Sequence, residues 1–423
     1  MSSPRVRLGV LGHGTVGSAF VALVERQAET IEARSGVRLE VTRIAVRDRA
    51  RHTPVARLLA EPAEVVADPE VDLVVETMGG LEPARTLILA ALAAGKPVVT
   101  ANKALLAAHG AELFAAADSA GIDLLFEAAV CGGIPLIRPL RESLRGEPIR
   151  RVLGIVNGTT NYVLTKMSEE GAEYADALAE AQRLGFAEAD PTADVDGHDA
   201  AAKVAIIASI AFGVNIVADD VYREGISKVT PADIAIARRL GHAVKLLAVA
   251  ERRGDAVAVR VHPSMVPLTH PLAAVRHSFN AVVVDGEAVG SLMFYGRGAG
   301  GDPTASSVLG DVIDAAVNLG KNTHAPLGTF ARPTLVPMSE TDCEYLLPLE
   351  VADRPGVLHA VTGVFARHGV SIRAAEQDGL GSGARLVFLT HTAREEAVQR
   401  CLTELAALDV VLRVGGVLRV IGE

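Results

Sequence analysis

Apolar residues in the first third of the chain alternate between short uninterrupted runs and wider helical spacings. Residues 5–11 read as a buried strand, 18–33 as a helix and 38–47 as a second strand. Val71–Glu76, Pro97–Ala101 and Ile122–Phe126 are further runs of strand length, and 82–94 carries an Ala/Leu-rich helical pattern. Strands alternating with helices predict parallel pairing, so residues 1–130 are expected to form a doubly wound α/β sheet.

The texture changes after residue 130. Helical patterns lie at 172–185 and 197–213, and Asn280–Val284 and Ala288–Tyr295 flank Asp285-Gly286 as a hairpin would. The glycine-rich loop Gly296–Gly301 leads into a helical pattern from Thr304 to about Leu319. Residues 131–303 are expected to be an inserted α+β domain, with 304–320 returning to the first sheet. The proline-bearing stretch 321–344 reads as a connector. The tail then runs strand 345–352, helix 357–368, strands 370–377 and 384–392, helix 393–407 and strand 410–421. That order is βαββαβ, a ferredoxin-like unit over 345–423.

Composition narrows the function. The 423 residues are 49% apolar and 22% charged, the balance of a packed protein of about two to three domains. A net charge of −10 with no long basic run argues against a nucleic-acid surface. Runs such as Val204–Phe212 are too short to span a membrane, and the start lacks the apolar core of a signal peptide. Cys131, Cys343 and Cys401 suggest neither a disulfide framework nor a metal pattern. A cytoplasmic protein acting on small molecules is expected.

The first chemical motif is Gly12-His13-Gly14-Thr15-Val16-Gly17, set between a strand and a helix. Gly12 permits a tight turn, Gly14 lets a pyrophosphate approach the backbone, and Gly17 allows close helix–strand packing. The anion then meets the positive end of the helix at Thr15 and Val16. This predicts a Rossmann-type dinucleotide site. Arg47, ending the second strand, would pair with the 2′-phosphate of NADP, while the neighbouring Asp48 leaves NAD open.

The second motif is the acidic segment Gly185–Lys203, with Glu188, Asp190, Asp194, Asp196 and Asp199 ahead of an apolar helix. A calcium loop aligned on Asp194 and Asp196 would put Thr192 first and Lys203 last, both wrong for ligands. Helix capping accounts for one or two of these acids. Asp199 and Lys203 lie one helical turn apart, so they share a face. A lysine on an otherwise apolar helix is either a solvated end or a functional amine. An unperturbed lysine, pKa about 10.4, is a poor base near neutrality, and burial or a second ammonium lowers it. Cys131 within Val130-Cys131-Gly132-Gly133 offers a different chemistry, that of phosphorylating aldehyde dehydrogenases; its plainer role is a small packed residue. A non-catalytic sensor of dinucleotide and amino acid is a further alternative, though no basic recognition element accompanies it.

Gly185–Lys203, Gly154-Ile155-Val156-Asn157-Gly158-Thr159-Thr160-Asn161, Thr100-Ala101-Asn102-Lys103 and Pro303-Thr304-Ala305 together resemble homoserine dehydrogenases over about residues 5–330. The resemblance implies Lys203 and Lys103 as the catalytic pair. It implies that Glu188, Asp194 and Asp199, with Asn157, Gly158 and Thr159, hold the substrate. It also implies NADP or NAD at the first glycine loop and a sodium ion on carbonyls near Glu127, Val130, Gly132 and Ile134. His13 departs from the apolar residue usual there. Asp353-Arg354-Pro355-Gly356-Val357-Leu358 and His368-Gly369-Val370-Ser371-Ile372 make the tail similar to an ACT domain. That implies an amino-acid effector, threonine by analogy, near Asp353, Gly356 and Val357, in a homodimer or homotetramer.

Overall fold

The computed structural model describes residues 3–48, 58–379 and 383–422. They form two compact units. The first comprises Met1–Arg150, Ala202–Asp220 and Val284–Pro333; the second comprises Arg151–Ala201, Val221–Val283 and Thr334–Glu423.

In the first unit six strands pair in parallel: β1 (Arg5–Leu11), β2 (Arg38–Ala45), β3 (Leu59–Ala60), β4 (Leu73–Glu76), β5 (Val98–Thr100) and β6 (Leu124–Leu125). Their order is β3-β2-β1-β4-β5-β6, which reverses direction between β1 and β4. Leu8, Val10, Leu73, Val74, Val75, Val98 and Val99 are fully buried, as strands covered on both faces require. The helix expected over 18–33 is two helices, Thr15–Arg26 and Ala28–Ser35, because Gln27 leaves helical geometry at φ −106°. Helix Gly301–Lys321 packs Ala305, Val308, Val312, Ala315 and Ala316 into the core that holds Leu8, Val10 and Val75.

The expected hairpin turn lies elsewhere. Asp285 and Gly286 end one strand (Phe279–Gly286), the next runs Gly290–Arg297, and the turn falls on Glu287–Val289. Glu147 accounts for the shift. Its Oε1 accepts from the backbone of Ala288 at 2.6 Å and Val289 at 3.2 Å. Gly290 supplies the left-handed residue at φ +72°.

The second unit is built on a mixed sheet. Continuing the numbering, its strands are β7 (Ile149–Ile155), β8 (Tyr222–Arg223), β9 (His242–Arg253), β10 (Ala256–Pro267) and β11 (Phe279–Gly286); Gly290–Arg297 is β12. The tail adds β13 (Thr334–Leu335), β14 (Asp342–Val351), β15 (Ile372–Gly379), β16 (Ala384–Thr390), β17 (Ala393–Arg394), β18 (Val411–Val414) and β19 (Leu418–Val420). Within this unit the order runs β11-β7-β9-β10-β19-β14-β16-β15. The long β9–β10 antiparallel pair, from Arg253↔Ala256 to His242↔Pro267, is its spine. β19 pairs with β10 on one side and β14 on the other, so the last strand of the tail joins the sheet that carries β7 and β9.

The single strand expected over 410–421 is interrupted. β18 and β19 both pair with β14, and the chain between them passes Pro348. A Cβ on Gly415 would lie 2.7 Å from the Pro348 ring, so only glycine fits. Helices Val357–Arg367 and Glu395–Ala406 cover this end of the sheet, burying Val361, Phe365, Val398 and Leu405 against Tyr345, Leu347 and Phe388.

Candidate active site

At the carboxyl end of β1 the chain turns at Gly12, whose φ of +99° excludes a side chain without strain. A Cβ on Gly12 would meet the Thr77 carbonyl at 2.9 Å, and one on Gly17 would meet the Gly12 carbonyl at 2.2 Å. The loop therefore lies directly against its own helix. Gly14 differs: a Cβ there would find nothing within 4 Å, so it borders open space at the start of helix Thr15–Arg26. No acidic side chain occupies the first turn of that helix. Bare backbone N–H groups facing open space suit a pyrophosphate. The Gly12 amide donates to the Ala45 carbonyl at 2.9 Å, which sets the end of β2 beside the loop, with Arg47 and Asp48 exposed just beyond it.

Lys103 opens helix Lys103–Ala120, immediately after β5, on the strand-end side of the sheet that also carries the glycine turn. Its position is fixed by a residue that sequence reasoning missed. Glu76, fully buried at the end of β4, accepts from the Met78 and Gly79 amides at 2.7 and 3.1 Å. It also accepts from the Thr100 hydroxyl at 2.5 Å. Burial raises the Glu76 carboxyl above its ordinary range, and these donors oppose that shift. Thr100 Oγ1 in turn accepts from the Asn102 amide at 3.0 Å, and the Asn102 side chain caps the helix through the Leu105 amide at 3.1 Å. Only the position of Glu76, last in a buried strand, hinted at this role.

The second unit holds the carboxylates. Asn157 comes directly after β7 and caps helix Gly158–Glu170 by accepting from the Thr160 amide at 2.8 Å. Its amide nitrogen donates to Asp194 at 2.7 Å and to Asp199 at 3.0 Å. Thr159 Oγ1 lies 2.9 Å from Asp194 and 2.6 Å from the Phe186 carbonyl, so one hydroxyl proton faces two acceptors. Gly158 lies tight on the Ser278 carbonyl, where a Cβ would come to 2.8 Å. Asn157, Thr159, Asp194 and Asp199 are thus brought together. Glu188 is exposed, and among the described residues no hydrogen bond joins its side chain to this group. Lys203, one turn after Asp199 on helix His198–Phe212, is only 8% exposed.

The Glu127 carboxylate accepts from the amides of Leu136, Ile137 and Arg138 at 2.5, 2.8 and 2.7 Å, and its carbonyl accepts from the Val130 amide at 3.4 Å. Cys131 and Gly132 are both left-handed, at φ +55° and +49°, which reorients successive carbonyls between Val130 and Ile134. The Gly132 carbonyl accepts from the Ser307 hydroxyl at 2.7 Å. Cys131 is fully buried, and a thiol nucleophile needs access. In the tail, Gly356 is left-handed at φ +91° and begins helix Val357–Arg367 with no side-chain cap; Asp353 is exposed and Val357 is buried in the core.

A glycine turn at the switch point of a parallel sheet defines a dinucleotide-binding protein, and a lysine at the end of β5 suits an oxidoreductase. The homoserine dehydrogenase family model matches residues 135–313, the model for the NAD-binding domain of homoserine dehydrogenase matches 12–127, and the ACT domain model matches 345–410. A homoserine dehydrogenase of Mycobacterium tuberculosis is 51% identical over 431 residues, covering 99% of this chain and 98% of that one. The crystal structure of a homoserine dehydrogenase from Thiobacillus denitrificans superposes with a TM-score of 0.93 at 41% identity, covering 99% of this chain and 98% of that one. A hyperthermophilic archaeal homoserine dehydrogenase in complex with NADPH matches 74% of this chain and 98% of its own, at TM-score 0.64 and 32% identity. The chain belongs to the homoserine dehydrogenase family. Among the described residues no helix is long and apolar enough to cross a membrane.

Proposed function

We propose that the chain interconverts L-homoserine and L-aspartate 4-semialdehyde, with NADP(H) preferred as the hydride carrier, in the biosynthesis of threonine, methionine and isoleucine. The observation that carries this reading is the Asn157-tied pair Asp194 and Asp199, the latter one turn ahead of the buried Lys203 on the same helix. Asp194 and Asp199, joined by Glu188, hold the amino and hydroxyl groups of homoserine, and Gly158 and Thr159 close the wall behind them. Lys203 takes the hydroxyl proton as hydride leaves the carbinol carbon, and returns it to the carbonyl oxygen in the reverse direction. Lys103 is its partner on the nicotinamide side. The bound dinucleotide supplies the hydride acceptor; Gly12, Gly14, Thr15, Val16 and Gly17 receive its pyrophosphate.

Arg47 selects NADP through the 2′-phosphate. Carbonyls of Glu127, Val130, Gly132 and Ile134 form an all-oxygen set suited to sodium. The division into a cofactor domain (1–130 with 304–320), a catalytic and dimerisation domain (131–303), a linker (321–344) and a regulatory tail (345–423) belongs to the same reading. So does the assembly, a cytoplasmic homodimer or homotetramer. Threonine is the proposed effector, its carboxylate received by backbone N–H groups at the uncapped helix start of Gly356 and Val357, and its ammonium by Asp353.

Steady-state rates with homoserine against NADP and then NAD, with and without threonine, test the whole reading. Lys203→Ala and Lys103→Ala should each lower kcat by about a hundredfold or more. Retention of most of kcat by both overturns the assignment. A kcat/KM for NAD above that for NADP overturns the cofactor preference, and a rate and binding unmoved by millimolar threonine overturn the effector.

A further inference from the structure

Arg419, near the end of the chain on β19, is completely buried, yet it is charged. It is held by two carboxylates at once. Its Nε and Nη2 donate to Glu395 at 2.8 and 2.6 Å, and its Nη1 and Nη2 donate to Glu224 at 2.8 Å each. Glu395 belongs to the tail and is further tied to the Tyr345 hydroxyl at 2.9 Å and to Gln399 at 2.7 Å. Glu224 lies outside the tail, just after β8, and also accepts from the Tyr222 hydroxyl. Nothing in the hydride-transfer chemistry calls for this arrangement.

The next two residues after Glu224 explain it. Gly225 lies so close to the acidic segment that a Cβ would stand 2.2 Å from the Val195 carbonyl and 2.7 Å from Asp196 Cα. The Ile226 amide donates to that same Val195 carbonyl at 2.9 Å. Gly197, left-handed at φ +82°, faces the Glu224 carbonyl and the Val261 side chain. The backbone from Val195 to Gly197, between Asp194 and Asp199, thus rests on Glu224–Ile226. Glu224 is anchored to the sheet by its amide, which donates to the Val261 carbonyl at 2.8 Å, and to the tail by Arg419.

We propose that Arg419 and Glu224 are positioning residues for the substrate carboxylates: the tail's last strand, through Arg419, Glu224 and the Gly225–Ile226 backbone, sets where Asp194 and Asp199 stand. This rests on the reading that those two aspartates hold the substrate. The tail is then a structural part of the homoserine site, and any shift of β19 acts on substrate affinity before it acts on the cofactor.

The test uses the whole chain. Arg419→Met strands the buried Glu395 carboxylate and the half-buried Glu224 carboxylate and is expected to fold poorly, so Glu224→Gln, which keeps the volume and one acceptor, is the informative variant. It should raise KM for homoserine about tenfold with kcat and KM for NADP little changed, the pattern of a lost binding contribution rather than general damage. Glu224→Asp, which restores the charge, should recover part of the affinity. A Glu224→Gln enzyme with unaltered KM for homoserine, beside an Asp194→Asn enzyme whose KM rises, overturns the proposal alone. A parallel fall in kcat and in affinity for both substrates overturns it too. If Asp194→Asn and Asp199→Asn leave KM for homoserine unmoved, the substrate reading fails, and the proposal falls with it.

Discussion

The Asn157 amide nitrogen lies 2.7 Å from an Asp194 carboxylate oxygen, and the same amide reaches Asp199 at 3.0 Å. One neutral donor holds two like charges at a fixed spacing. Hydrogen bonds to charged groups are worth roughly 1.5–3 kcal/mol each, so removing this donor should raise KM for homoserine by about ten- to a hundredfold. Asn157 also caps a helix, which Asn157→Ala would lose at a cost of about 1 kcal/mol. Asn157→Ser keeps the cap and loses the reach. It should therefore melt above Asn157→Ala and still bind homoserine weakly; parent-like KM in the serine variant would sink the assignment.

The two glycines of the cofactor loop should fail in different ways. At Gly17 an added methyl collides with the Gly12 carbonyl, so Gly17→Ala should lower both thermal stability and NADPH affinity. At Gly14 a methyl meets no protein atom, only the space assigned to the pyrophosphate. Gly14→Ala should keep the parent Tm while NADPH affinity, read by fluorescence titration, drops by about tenfold or more. Full affinity in Gly14→Ala would place the pyrophosphate elsewhere.

These sites were legible because local chemistry carried them: a glycine turn between a strand and a helix, and acids crowded before an apolar helix. The elements that were missed are those whose pattern burial erases. β9 is buried from Val244 to Ala250 without a break, so it never alternates. In helix Gly158–Glu170 the residues from Thr159 to Thr165 are all buried, polar ones included, and no polar face remains to reveal a period. Helix Lys103–Ala120 is interrupted at His109, where φ is −130°. Glu76 and Glu224 escaped notice for another reason. Besides near neighbours, each has a decisive partner far along the chain, Thr100 at 24 residues and Arg419 at 195, and no local spacing encodes such pairings.

Asp311 should give the enzyme an acid-side stability gradient. It is fully enclosed on helix Gly301–Lys321, accepting from the Glu127 amide at 2.8 Å and from Arg138 at 3.3 Å. Burial first, and the Glu127 carboxylate second, push its carboxyl up from 3.8 to about 7. The folded state therefore holds this proton more tightly than the unfolded chain does. Stability is lost as pH rises from about 4 to 7, on the order of 4 kcal/mol in all, and is flat beyond. Asp311→Asn removes the titration, so its urea midpoint relative to the parent should climb between pH 5 and pH 8. A difference that stays constant over that range would contradict the shift.

Lys245 should produce a gradient of opposite sign on the alkaline side. It lies on β9, 5% exposed, with its ammonium donating to Asn161 Oδ1 at 3.0 Å and to the Val275 carbonyl. Both partners are neutral, so among the described residues these contacts supply no counterion to the buried charge. Burial lowers its pKa from 10.5 to about 8; the Glu169 carboxylate opposes that shift and Arg276 adds to it. Here the unfolded chain binds the proton more tightly, so stability rises with pH between about 8 and 10.5. The full change is on the order of 3 kcal/mol. Lys245→Met has no such titration, although it leaves two buried oxygens without their donor. The parent should therefore gain stability relative to this variant on moving from pH 7.5 to pH 9.5, measured by urea unfolding at each pH. If the variant gained as much as the parent, the ammonium would already be solvated or paired in the folded protein.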